Sequence, residues 1–139
     1  MATLVDSNVL LDVLTQDRVW GGWSSTALAR AADAGSLVIN PVVYAEVSTR
    51  FERIEDLERS LPASDFRRDA IPWEAAFLAA KAFAAYRRRG GIRTSTLPDF
   101  FIGAHAAVAG HTLLTRDVAR YRTSYPALVL VSPPAPGGD

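Results

Sequence analysis

Short apolar runs alternate along this chain with longer stretches of helical periodicity. "ATLV" runs up to Asp6 and reads as a short buried strand. "VLLDVL" behind it starts a helix, with Ser7 or Asn8 as its cap. "RVWGGW" breaks the pattern with two glycines, and "SSTALARAADAG" then predicts a full helix capped by Ser24 or Ser25 and stopped at Gly35. "SLVIN" is a second strand. In "NPVVYAEVSTRFERI", Asn40 takes a cap position and Pro41 the first helical one. "EDLERSL" predicts a short helix that ends at Pro62. The longest periodic segment is "PWEAAFLAAKAFAAYRRRGG", where Phe77, Ala80, Phe83 and Ala84 recur at helical spacing. Arginines complement its dipole, and Gly90 and Gly91 stop it. "IRTSTL" is a polar connector. "PDFFIGAHAAVAG" is a further apolar helix. "HTLLT" and "ALVLV" are two more strands around a helical turn in "RDVARYRTSY", and "SPPAPGGD" is a loose tail.

Strands that alternate with helices predict an α/β fold around a mostly parallel sheet. Ligands of such sheets sit beyond the carboxyl ends of the strands. Four acids fall there. Asp6 follows the first predicted strand and Asp117 the third. Glu46 lies in the first two turns of the helix after the second strand, and Asp99 in the opening turn of "PDFFIGAHAAVAG". Each has an ordinary structural role open to it. Asp6 and Asp117 suit turn caps, Asp99 suits the positive end of a helix, and Glu46 suits an ion pair with Arg50 four residues on. Together they say more. Glu46 and Asp99 are embedded in apolar runs, which suits a solvated face poorly. Four converging carboxylates repel one another, and a hard divalent cation resolves that. Asp12, further along the first helix, reads as a surface charge.

Composition narrows the chemistry. The 139 residues are 49% hydrophobic, enough for one domain with a real core. The formal net charge is +0, so no global pull toward nucleic acid or anionic membrane is implied. Arginine dominates the basic residues, with Lys81 the only lysine. Cysteine is absent, which excludes disulfides, thiolate metal sites and cysteine nucleophiles. An all-oxygen ligand set favours magnesium or manganese over zinc. His105 lies mid-helix among alanines and reads as a satisfied, partly buried histidine. His111 follows a helix end, and neither histidine stands in a triad order. Tyr86 and the three tryptophans read as core or interface, and "RRRGG" as helix-terminal charge. No apolar run is long enough to span a bilayer and the start has no basic leader, so a cytoplasmic protein is expected. A phosphatase of the haloacid dehalogenase type needs a second aspartate where Asn8 stands. A receiver domain pairs adjacent acids with a late-strand lysine, and this chain has neither.

The stretches "LVDSNVLLDVL", "INPVVYAEV", "LPDFFIGAHAAVAGHTLLTRD" and "ALVLVSP", in this order, resemble a PIN domain, in particular the VapC-type toxins of bacterial toxin–antitoxin systems. The match spans most of the chain and is most specific from Leu97 to Asp117. The resemblance implies a three-layer sandwich with a four- to five-stranded, mostly parallel sheet, as one domain over residues 1–133 followed by a flexible tail at 134–139. It implies a Mg²⁺- or Mn²⁺-dependent endoribonuclease whose metal-binding catalytic quartet is Asp6, Glu46, Asp99 and Asp117. Asn8 and Thr115 match polar positions beside that site. Arg116 belongs to the same threonine–arginine–aspartate stretch and has the chemistry to meet a phosphate. The partners implied are RNA, a cognate VapB-type antitoxin and a second copy of the chain, with no membrane. Asn8 departs mildly from the serine that more often stands there. The different-class alternative is a non-catalytic PIN-fold module that only binds RNA or protein.

Overall fold

Strands of two or three residues carry the whole sheet in this computed structural model, which describes residues 1–90 and 96–134. In chain order the elements are β1 (Thr3–Val5), α1 (Ser7–Leu14), α2 (Gly21–Ala34), β2 (Leu37–Ile39), α3 (Pro41–Ser48), α4 (Ile54–Ser60), β3 (Phe66–Arg68), α5 (Trp73–Arg88), α6 (Leu97–Ala109), β4 (Thr112–Leu114), α7 (Val118–Arg122) and β5 (Leu130–Val131). Every residue of β1, β2 and β4 is buried. That explains their continuous apolar sequence, because parallel strands are covered on both faces. The sheet order is β3-β2-β1-β4-β5 and every pairing is parallel. Helices flank it, with α1 packed on α2, α5 on α6, and α3 touching both α1 and α6. The expected α/β architecture with a parallel sheet is the one observed.

Register decides where the chemistry falls. Thr3 pairs with Leu37 of β2 and Thr112 of β4, so the three central strands end level. The residues just past those ends are Asp6, Asn40 and Thr115. Asp6 keeps the ladder going by one bond, its N–H donating to the Leu114 carbonyl at 2.9 Å. Asn40 is the predicted cap of α3, its side chain accepting from the Val43 N–H at 2.9 Å. Gly110 ends α6 in the left-handed region at φ 72°, a conformation glycine adopts without strain.

Several elements differ from the sequence reading. β3 was not predicted. It is an edge strand whose sequence Phe66-Arg67-Arg68 buries only the phenylalanine, so it carries no apolar signal. α1 begins at Ser7, so its cap position falls to Asp6, one residue before the first of the proposed caps. α2 begins at Gly21, which places Ser24 inside the helix, fully buried. The buried residues of α5 are Ala75 and Ala79, while Phe77 is 67% exposed and Trp73 is 89% exposed. The apolar repeat therefore marked part of the outer face, and Trp73 is not a core residue. The predicted stop at Gly91, the connector up to residue 95, and residues 135–139 of the tail lie outside the described residues. No helix among the described residues is long and apolar enough to cross a membrane.

Gly103 of α6 shows how tightly α6 and α7 pack. A Cβ there would stand 2.4 Å from Tyr125 Cε2 and 3.0 Å from Tyr121 Cδ1. Both rings are pinned at their far ends, since Tyr125 donates to the Phe100 carbonyl at 2.9 Å and Tyr121 to Asp6 at 2.8 Å. Overpacking of this kind costs about 1–3 kcal/mol, against about 1 kcal/mol of gained helix propensity. Gly103→Ala is therefore expected to lower the unfolding free energy by up to about 2 kcal/mol in urea denaturation. An unchanged midpoint would show that the tyrosines yield freely.

Candidate acidic active site

Asp6 is 1% exposed at the end of the central strand. Its side chain makes no cap bond to α1. Instead Oδ2 accepts from Thr115 Oγ1 and from the Tyr121 hydroxyl, each at 2.8 Å. Burial pushes the carboxyl above its ordinary range. The Tyr121 and Thr115 hydrogen bonds and the nearby Arg120 oppose that rise, and Asp99 adds to it. Tyr121 is itself fully buried, and burial beside Asp6 raises its hydroxyl well above the usual value, so it stays a neutral donor.

The other three acids surround this one from different elements. Glu46 of α3 accepts a 2.7 Å hydrogen bond from Ser7 Oγ at the start of α1. Its carboxyl is raised by partial burial, with Asp6 and Asp99 adding repulsion. Asp99 is the third residue of α6. Its Oδ2 accepts from the Thr96 N–H at 2.8 Å, which locks the helix start, while Oδ1 faces Arg120 Nη1 at 3.3 Å. Asp117 caps α7 by accepting from the Arg120 N–H at 3.3 Å, and its Oδ2 meets Arg120 Nη2, also at 3.3 Å. The structure thus brings all four sequence-predicted acids to one place. Asp99 and Asp117 also do the helix-end work open to them, whereas Glu46 turns to Ser7 and Asp6 leaves its cap unmade.

Thr115 is the hub between strand and loop. Its hydroxyl donates to Asp6, accepts from the Asp117 N–H at 3.1 Å, and lies 3.4 Å from Asn8 Nδ2. Asn8 Oδ1 accepts in turn from the Arg116 N–H at 3.5 Å. The Arg116 guanidinium is aimed elsewhere. Its Nε and Nη2 grip the two Asp12 oxygens at 2.7 and 3.1 Å, and it lies 5.5 Å over the Trp20 ring. Asp12 is 3% exposed and also accepts from Ser24 Oγ at 2.8 Å, so it is a buried brace and not a surface charge. Its position facing α2, rather than solvent, was invisible in a single-helix reading. Ser7, Thr96, Arg120 and Tyr121 are site residues the sequence reading missed. Arg120 and Tyr121 had one signal, their placement three and four residues after Asp117, on the helical face that a capping aspartate shares.

The donors suit a hard divalent cation: carboxylates from four segments, no sulfur, no imidazole, and one carboxylate already stripped of water. Among the described residues, the group whose three ligand-type atoms already lie within 4.8 Å of one another is a different one, Asp69, His105 and His111. It fits a structural role better. Asn40 Oδ1 is committed to Val43, so its amide nitrogen faces His105 Nδ1 at 3.0 Å and makes that nitrogen the acceptor. Asp69 is held by Arg67 through two 3.0 Å bonds. His105 is the satisfied buried histidine expected from the sequence.

Two outcomes follow from this geometry. Asp12→Ala leaves Arg116 partly buried without its partner and strips Ser24 of its acceptor. A loss of about 2–3 kcal/mol is expected in chemical denaturation, below the range for fully buried pairs because Arg116 is part-exposed. In metal-free protein, Asp6 and Glu46 bind protons more readily folded than unfolded. Their contribution is therefore least unfavourable below the ordinary carboxylate pKa, and stability is lost as pH rises toward the raised values. Asp6→Asn should then be more stable than wild type at neutral pH in chelator. The gap should close as the pH falls to about 4, where an unfolded carboxylate titrates. A gap independent of pH would show that Asp6 does not titrate abnormally.

Comparison with known proteins agrees with this architecture. The chain superimposes on VapBC2 of Rickettsia felis, solved with a promoter DNA fragment, at a TM-score of 0.73 and 18% identity, over 95% of this chain and 98% of that one. VapBC-1 of nontypeable Haemophilus influenzae gives 0.73 at 16% identity over 95% and 98%. FitAcB of Neisseria gonorrhoeae gives 0.70 at 16% over 94% and 96%. At these identities the likeness is one of fold. No curated protein matches the sequence. The PIN domain family matches residues 3–124, which is most of the chain, and the protein belongs to that family.

Proposed function

We propose that this PIN domain is a Mg²⁺- or Mn²⁺-dependent endoribonuclease that acts as the toxin of a VapBC-type toxin–antitoxin pair. The observation that carries the reading is the convergence of Asp6, Glu46, Asp99 and Asp117 on one partly buried site at the carboxyl edge of the sheet. Structural likeness to toxin–antitoxin complexes supports the biological role, and the fold alone is what that likeness shows. A divalent ion held by these carboxylates supplies an activated water for phosphodiester hydrolysis and charge stabilisation for the leaving oxygen.

The chain's own part is to hold the acids ready. Thr115 and Tyr121 fix the rotamer of Asp6, Ser7 fixes Glu46, and Thr96 fixes Asp99. Asn8, suspended between Thr115 and the Arg116 backbone, stiffens the turn from β4 into α7. In this reading Arg116 braces that turn through Asp12 and does not meet the phosphate. A VapB-type antitoxin and a second copy of the chain are the partners the reading expects. Clustered carboxylates favour an antitoxin segment that presents a cation.

Removing groups that merely orient metal ligands costs 10- to 100-fold in affinity or activity, so removing a ligand costs more. Asp6→Asn and Asp99→Asn are each expected to reduce Mn²⁺-stimulated RNA cleavage by about 100-fold or more, with circular dichroism unchanged. Mn²⁺ should also raise the melting temperature of wild type and not of the variants, because an ion that binds only the folded state stabilises it. Full cleavage by both variants would leave only a binding module.

A further inference from the structure

Arg120 lies between two of the four acids. Its side chain is 25% exposed and contacts Asp99 Oδ1 and Asp117 Oδ2, each at 3.3 Å. Its charge also acts on Asp6 and on Glu46. The guanidinium thus bridges α6 and the cap of α7, and its charge reaches the acids at the end of β1 and on α3. The fit is incomplete. Asp99 and Asp117 each receive a single long contact in place of a two-pronged one, and Nε is buried with no hydrogen-bond partner. Arg116, four residues earlier and paired with Asp12, shows the satisfied alternative, with contacts of 2.7 and 3.1 Å. A buried donor without a partner is destabilising. An arginine kept only to stabilise the fold would be expected to avoid that cost.

Resting on the metal-dependent reading above, we propose that Arg120 is the resident cation of the metal-free site and competes with the incoming divalent ion. Four carboxylates without a counter-charge repel, so the guanidinium lets the site fold before any ion arrives. The same positive charge opposes a second cation in the same few ångströms. Loading requires the guanidinium to release Asp99 and Asp117, and its loose contacts make that release easy. The affinity for metal is thereby set lower than the acids alone would give. Arg120 acts through the carboxylates and is a positioning residue.

The test uses the full chain stripped with chelator and titrated calorimetrically with Mn²⁺. Arg120→Gln is expected to bind Mn²⁺ about ten-fold or more tightly than wild type, since a unit charge about 4 Å from a divalent ion costs about 2 kcal/mol even at the dielectric of water, roughly thirty-fold in affinity. Arg120→Lys, which keeps the charge, should stay near wild type. Arg122→Gln removes an exposed cation from the same helix and should change the affinity less than two-fold, on the order expected for a screened surface charge. Thermal melts cover the case of a poorly folded variant. Arg120→Gln should melt below wild type in chelator and recover, or overtake it, in Mn²⁺. Equal or weaker binding by Arg120→Gln, or equal Mn²⁺ stabilisation of both proteins, overturns the competition. Failure of wild type and variant alike to bind Mn²⁺ overturns the metal-dependent reading and this inference with it.

Discussion

A carboxylate placed at the buried end of the central strand has to be answered by its surroundings, and most of the functional edge of this protein is that answer. Asp6 has lost its water. Two hydroxyls, from Thr115 and Tyr121, replace part of that hydration. Arg120 supplies positive charge, and Asp99 and Asp117 hold Arg120. The position of α7 follows from this. Its cap is Asp117, its buried tyrosine reaches back to β1, and its arginine spans to α6. A five-residue helix has almost no stability of its own. Here it is kept by the polar contacts it makes to the acidic site and by tyrosine packing on Gly103.

A second, separate brace steadies the same turn from the other side. Asp12, Ser24 and Arg116 tie α1, α2 and the β4–α7 connection together, with Trp20 beneath the guanidinium. Neighbouring arginines in one short stretch thus have opposite duties. Arg116 is fully engaged away from the acids, and Arg120 is loosely engaged among them. The difference is one of geometry, because the two residues lie four apart but on either side of the helix start.

The sequence was most legible where one signal was enough. Continuous apolar runs marked β1, β2 and β4, since burial on both faces leaves no polar alternation. Asn40-Pro41 marked α3. The acids stood out because Glu46 and Asp99 interrupt apolar stretches. What stayed hidden depended on facing. β3 lacked a signal because an edge strand buries one side chain, and the outer face of α5 looked apolar because Trp73 and Phe77 lie on the surface. Asp12 and Ser24 are near neighbours only because α1 and α2 fold against each other. Tyr121 and Arg120 could be given roles only when Asp6 was known to be buried within reach of them.

The brevity of the strands has a consequence for when this protein becomes competent. Strands this short leave the acids to separate segments: the end of β1, α3, the start of α6 and the cap of α7. The acids come from positions 6, 46, 99 and 117, and the residues that neutralise and orient the first of them arrive last. A ribosome-bound chain that has exposed β1, β2 and α3 therefore carries two of the acids without their counter-charge or their hydroxyl donors. The four acids and their donors come together only once the segment around β4 and α7 has docked. For an enzyme proposed to destroy RNA, that order of assembly separates its own translation from its activity.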